Sequence, residues 1–134
     1  KNIGQSNVSS LQMFQGSQIK FIGDTLITLK GNILYSINRK SEEIIWTDTL
    51  KSDYLSKGGF AATPVEIFGA RIIILTTEGE LRLYNVENGS LNHKCDIGEY
   101  VRSKPLIDEN WIYITTMKVK LICIDLQRII KKTG

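Results

Sequence analysis

The feature that most restricts what this chain can fold into is that it repeats itself. The stretch from Ile72 to Asn85 returns in degenerate form from Ile112 to Asp125. Leu81 and Leu121 are 40 residues apart, as are Asn85 and Asp125, and the two prolines, Pro64 and Pro105, are 41 apart at the same point of the cycle. An earlier copy fits at a longer spacing: Leu34 to Leu81, Asn38 to Asn85 and Trp46 to His93 are each 47 residues. The extra length falls in the loop around Asp53 to Gly59, and surface connections tolerate insertion well.

Each copy reads as several short strands. Val, Ile, Thr and Tyr gather in runs separated by turn residues such as Lys30-Gly31-Asn32. Strands are predicted near 24–30, 33–38, 43–50, 64–68, 70–77, 80–86, 91–97, 105–108, 111–117 and 119–126. No apolar stripe of period 3.6 persists for three turns, so almost no helix is expected.

A period near 40 residues with several strands per copy is the pattern of propeller blades. A small twisted sheet cannot bury both of its faces alone, and stacking against neighbours covers them. Runs such as Ile72 to Leu75, apolar on both faces, fit that arrangement. The expectation is an all-β chain of about three blades, a partial or fragmentary β-propeller. Residues 1–16 form an N-terminal segment suited to a closing strand and 17–53 the first blade. Residues 54–60 form a loop, 61–98 the second blade, and 99–134 a third whose completeness the sequence leaves open. Closed propellers have about 4–8 blades, so a piece of a longer protein is expected. The sequence opens on Lys1 rather than Met, and an upstream leader or domain is expected with it.

Composition removes some classes. Apolar residues make up 42% and charged residues 23%, which argues against disorder for most of the chain. The apolar runs are far too short to span a bilayer, so membrane attachment would need a segment outside this sequence. The net charge of +3 includes a basic excess near the end: Lys118, Lys120, Arg128, Lys131 and Lys132. That charge is too dispersed for a nucleic-acid face, and no nucleic-acid partner is expected. It reads as a solvated strand edge and tail, where lysine also discourages stray strand pairing. Cys95 and Cys123 match no metal or redox spacing. Cys123 lies in the apolar run Leu121-Ile122-Cys123-Ile124 and reads as a small hydrophobe.

Several residues carry a more specific resemblance. Leu34-Tyr35-Ser36-Ile37-Asn38 followed by Ser41-Glu42-Glu43-Ile44-Ile45-Trp46 resembles the second strand, turn and Trp-ended strand of the PQQ-like β-propeller repeat. In the second copy Glu78-Gly79 and Asn88-Gly89 hold the two turns, and His93 holds the Trp position. The third keeps Leu121-Ile122-Cys123-Ile124-Asp125 but has Val119 and Ile129 where the glycines would stand. The resemblance spans roughly Ile19 to Ile130. It implies that Trp46 packs between blades, and that Trp46, Gly79, Gly89, Asn38, Asn85 and Asp125 are structural repeat markers. Asn and Asp at such positions bond turn backbone.

No catalytic cluster stands out. His93 is the lone histidine and occupies a structural position of the repeat, and there is no phosphate loop, metal motif or nucleophile elbow. Neither an enzymatic role nor a cofactor is expected. The binding candidates are Tyr54, Leu55 and Phe60, in the loop that ends at Gly58-Gly59, because aromatic residues on such loops serve as interface anchors. The resemblance implies a non-catalytic protein-binding scaffold. Its nearest relatives in kind would be the propeller lipoprotein of the outer-membrane barrel-assembly machinery, with an exported, cell-envelope location. The alternatives are a sensor and dimerisation domain of a membrane receptor, such as a luminal stress-kinase domain, and a fragment of a quinone-dependent dehydrogenase. The last would call for calcium, a stacking Trp and often adjacent cysteines. Protein partners or self-association are expected through the terminal blades, with Ile122 or Ile124, whichever faces outward, at the contact.

Overall fold

The computed structural model describes residues 19–51 and 62–133. Tyr54, Leu55 and Phe60 lie outside the described residues.

The described residues form three antiparallel sheets in chain order. The first runs β1 (Ile19–Ile22), β2 (Thr25–Lys30), β3 (Ile33–Asn38) and β4 (Ile44–Thr49). The second runs β5 (Glu66–Phe68), β6 (Arg71–Leu75), β7 (Glu80–Asn85) and β8 (Leu91–Asp96). The third has β9 (Leu106–Asp108), β10 (Trp111–Thr115) and β11 (Leu121–Asp125), followed by one helix, α1 (Leu126–Thr133). The spacing of 47 between copies is visible in the register. The bulge in the β3–β4 ladder at Ser36/Ile37 recurs in the β7–β8 ladder at Leu83/Tyr84. The fold is therefore all-β and built from repeated meanders.

Alternation of side chains along β6 divides the core in two. Ile72 and Ile74 point to the first sheet, where they join Ile27, Leu34, Leu50, Val65 and Tyr84. Ile73 and Leu75 point to the third, joining Leu81, Leu83, Val101, Ile112, Ile114 and Leu126. Each fully buried Ile or Leu contributes about 1.5–3 kcal/mol, so the second sheet is held from both faces.

Two sequence expectations need correction, and one point left open is decided. Strand β1 was not anticipated, because Ile-Lys-Phe-Ile is too short a run to announce itself. It exists by pairing with β2 over Ile19↔Thr28 to Ile22↔Thr25. The third copy, whose completeness the sequence left open, has no fourth strand among the described residues. Asp125 Oδ1 accepts from the Gln127 amide at 3.1 Å and caps a helix instead. Leu126, Ile129 and Ile130 lie at helical spacing on the core side of α1 and pack on the second core cluster. Finally, Ile122 and Ile124 do not face outward. Both pack inward on that cluster, while Leu121 and Cys123 are the exposed residues of β11. Among the described residues no helix is long and apolar enough to cross a membrane.

Candidate functional site

Among the described residues the buried charged side chains, Glu80 and Arg82, lie between the first and second sheets, on β7. Glu80, Arg82 and Tyr84 alternate along that strand, so all three face the first sheet. Arg82 Nε donates to Glu80 Oε1 at 2.5 Å and its Nη1 to the Tyr84 hydroxyl at 3.1 Å. A third donor of the guanidinium reaches across to the Lys51 carbonyl. Lys94 on β8 places Nζ 3.3 Å from Glu80 Oε2. A cavity of about 300 Å³ opens beside them, lined by Asp48, Leu50, Arg82, Tyr84, Leu91 and Lys94.

Burial pulls the Arg82 guanidinium down from its ordinary pKa, and its bonds with Tyr84 and Glu80 outweigh this, leaving it raised. Burial raises the Tyr84 hydroxyl and the Asp48 carboxyl. In the cluster two cations, Arg82 and Lys94, share the one carboxylate of Glu80 while Asp48 lines the cavity beside them, and among the described residues no Ser, Cys or His lines it. What it does by geometry is tie the chain leaving β4 to the second sheet. The sequence reading missed it. The available signal was a pair of charges two apart in an otherwise apolar strand, Glu80-Leu81-Arg82-Leu83.

The repeat markers sit at turns and sheet junctions. Trp46 on β4 donates from Nε1 to the Val86 carbonyl at 2.9 Å. Its ring lies against Gly89, where an added Cβ would stand 2.6 Å from the indole. Asn38 Oδ1 accepts from the amides of Lys40 and Ser41, and Asn85 Oδ1 from that of Glu87, as Asp125 does from Gln127. Gly79 has φ +99, and a Cβ there would meet the Glu99 carbonyl oxygen at 2.1 Å. The connection from β8 crosses that turn, with Ile97 N bonded to the Gly79 carbonyl at 2.7 Å.

His93 is half-buried on β8, and burial, with Arg71 nearby, lowers its pKa. Cys95 and Cys123 are on different sheets, so they do not form the adjacent pair that the quinone enzymes would call for. Among the described residues no group of three or more His, Cys, Asp or Glu side chains is placed to hold a metal ion.

A second candidate surface is the outer face of the third sheet. Ile107, Ile112, Ile114, Ile122 and Ile124 turn inward, which leaves Leu106, Trp111, Tyr113, Leu121 and Cys123 on the opposite face. Leu106 is 67% exposed, Leu121 63% and Trp111 43%. Three large apolar side chains on one sheet face are more than scattered surface hydrophobes.

No protein-family profile matches the chain, and no curated protein resembles it in sequence. Solved structures do resemble it in fold. BamB from Moraxella catarrhalis superposes with a TM-score of 0.65 at 14% identity, over 79% of this chain and 30% of that one. A europium-containing methanol dehydrogenase superposes with a TM-score of 0.65 at 12% identity, over 81% of this chain and 22% of its own. A quinohemoprotein alcohol dehydrogenase from Pseudomonas putida gives 0.66 at 12%, over 81% and 18%. The chain thus spans less than a third of the length of each of these proteins. At such identities the likeness shows the fold alone: a partial β-propeller like that of BamB.

Proposed function

We propose that this chain is part of a non-catalytic propeller scaffold that binds protein, in the manner of a cell-envelope assembly factor. The observation that carries the reading is the outer face of the third sheet, where Leu106, Trp111 and Leu121 stand exposed together. Burying such a face against protein is favourable at about 25 cal/mol per Å² of apolar area. The likeness to BamB supports this reading. The test is solution mass by sedimentation over a wide concentration range, with and without candidate envelope proteins. Association is expected, and Leu121→Lys is expected to weaken it without changing strand content. A strictly monomeric chain that captures no partner would overturn the proposal.

The fold likeness to the two dehydrogenases supports a second reading, a fragment of a quinone enzyme. A quinone absorption band after incubation with pyrroloquinoline quinone and calcium would favour it over the scaffold.

A further inference from the structure

The first two sheets each finish with a fourth strand and the third does not. In the second sheet β8 pairs along β7 over Leu81↔Cys95 and Leu83↔His93; in the first, β4 pairs along β3 over Leu34↔Asp48 and Ser36↔Trp46. The corresponding ladder beyond β11 is absent among the described residues, because the chain enters α1 at Leu126 and α1 packs against β8.

The hydrogen-bond pattern shows which backbone groups this leaves open. Thr116 N bonds to the Lys120 carbonyl and Leu126 N to the Asn110 carbonyl. With the register Ile114↔Ile122 and Ile112↔Ile124, the even residues of β11 therefore bond to β10. Leu121 and Cys123 direct both their N–H and C=O groups away from it, and Asp125 its N–H, while the Asp125 carbonyl enters the first turn of α1. In β7 the equivalent Asn85 amide is satisfied by Ser90 of the β7–β8 turn, at 2.9 Å. Neither Pro nor a charge interrupts Leu121 to Ile124, so the usual protections of an open edge are missing within the strand. The charges lie at its ends: Lys118 and Lys120 at the turn, with Glu99 paired to Lys120 at 3.0 Å, and Arg128 and Lys131 exposed on α1.

We infer that the outer edge of β11 receives an extended segment of a partner protein as a fourth antiparallel strand. That segment is acidic overall and apolar at the positions opposite Leu121 and Cys123. Main-chain bonds to the three open positions supply affinity, and the alternate side chains and the basic ends supply selection. The inference rests on the protein-binding reading above and specifies its geometry.

The test is residue-resolved amide exchange with a capped nine-residue peptide of alternating valine and glutamate as the probe. In the free, dilute protein the amides of Leu121, Cys123 and Asp125 exchange fast while those of Ile122 and Ile124 are protected. With the peptide, the three outward amides are expected to slow at least about tenfold, since each then has a ladder partner. Cys123→Pro removes an outward donor while sparing the bonds to β10, and it is expected to abolish the effect. Should that variant lose the protection of Ile122, Leu121→Glu provides the second comparison, by repelling the acidic peptide. Protection of the outward amides before any peptide is added would overturn the inference. So would binding without the alternating pattern, or no binding at all. Binding confined to Leu106 and Trp111 would sink the edge inference and leave the scaffold reading standing.

Discussion

The second and third sheets use the same local chemistry for different ends. Their central turns match bond for bond: Thr76 N reaches Glu80 O and Gly79 N reaches Thr76 O, as Thr116 N reaches Lys120 O and Val119 N reaches Thr116 O. Both turns need a left-handed residue at the third position. The second sheet supplies Gly79, because the Glu99 backbone crosses directly over it. In the third sheet Val119 takes φ +62 at the same place and is 76% exposed. The inner faces also differ. Positions 80, 82 and 84 carry Glu, Arg and Tyr, whereas positions 120, 122 and 124 carry Lys, Ile and Ile. One junction is thus part ion pair, the other apolar. Packing above a turn, rather than the turn itself, decides how strictly its residue is specified.

The largest expected effect breaks this comparison at the turn. Gly79→Val imposes a left-handed β-branched residue and drives its Cβ into the Glu99 backbone, so a loss of about 4 kcal/mol is expected by urea denaturation. Next, Arg82→Ala leaves the Glu80 carboxylate and the Tyr84 hydroxyl without their buried partner. A loss of about 3 kcal/mol is expected. The double change Glu80→Leu with Arg82→Met, which makes this junction resemble the apolar one, is expected to recover most of it. Trp46→Ala, which deletes the half-buried anchor on Gly89, is expected to cost about 2–3 kcal/mol; a change within error would mean that the indole contributes no packing at the junction.

Two smaller effects sharpen the contrast. Val119→Gly relieves a strained residue that nothing covers, and a gain of about 1 kcal/mol is expected. The same turn therefore gives opposite signs in the two sheets, which paired denaturation curves would check. The smallest effect concerns His93, whose folded pKa lies below the ordinary value near 6.5 because of burial. Below that value the unfolded chain binds the proton first, so stability is full above it and falls as pH drops through the folded pKa. His93→Gln is expected to flatten that slope between pH 7 and 5.

Much of the architecture was legible in the residues, because repetition at 40 and 47 residues and period-two patterning are local properties of the chain. Nearly all strands, the turn glycines and the roles of Asn38, Asn85 and Asp125 as turn residues follow from them. Helix α1 was not, although Leu126, Ile129 and Ile130 were in plain view. Eight residues are too few for a persistent stripe, and the helix is held by the core it covers rather than by its own propensity. Which isoleucines of β11 face inward was undecidable for the same kind of reason. Alternation fixes that neighbours oppose one another, but only the packed second sheet tells which face is inside. The Glu80–Arg82–Tyr84 cluster likewise needed the Lys51 carbonyl, supplied from 31 residues away, to become a buried site. Sequence determined the repeating unit; tertiary structure decided which faces and edges of the last unit remain open, because burial is a property of neighbours and not of residues.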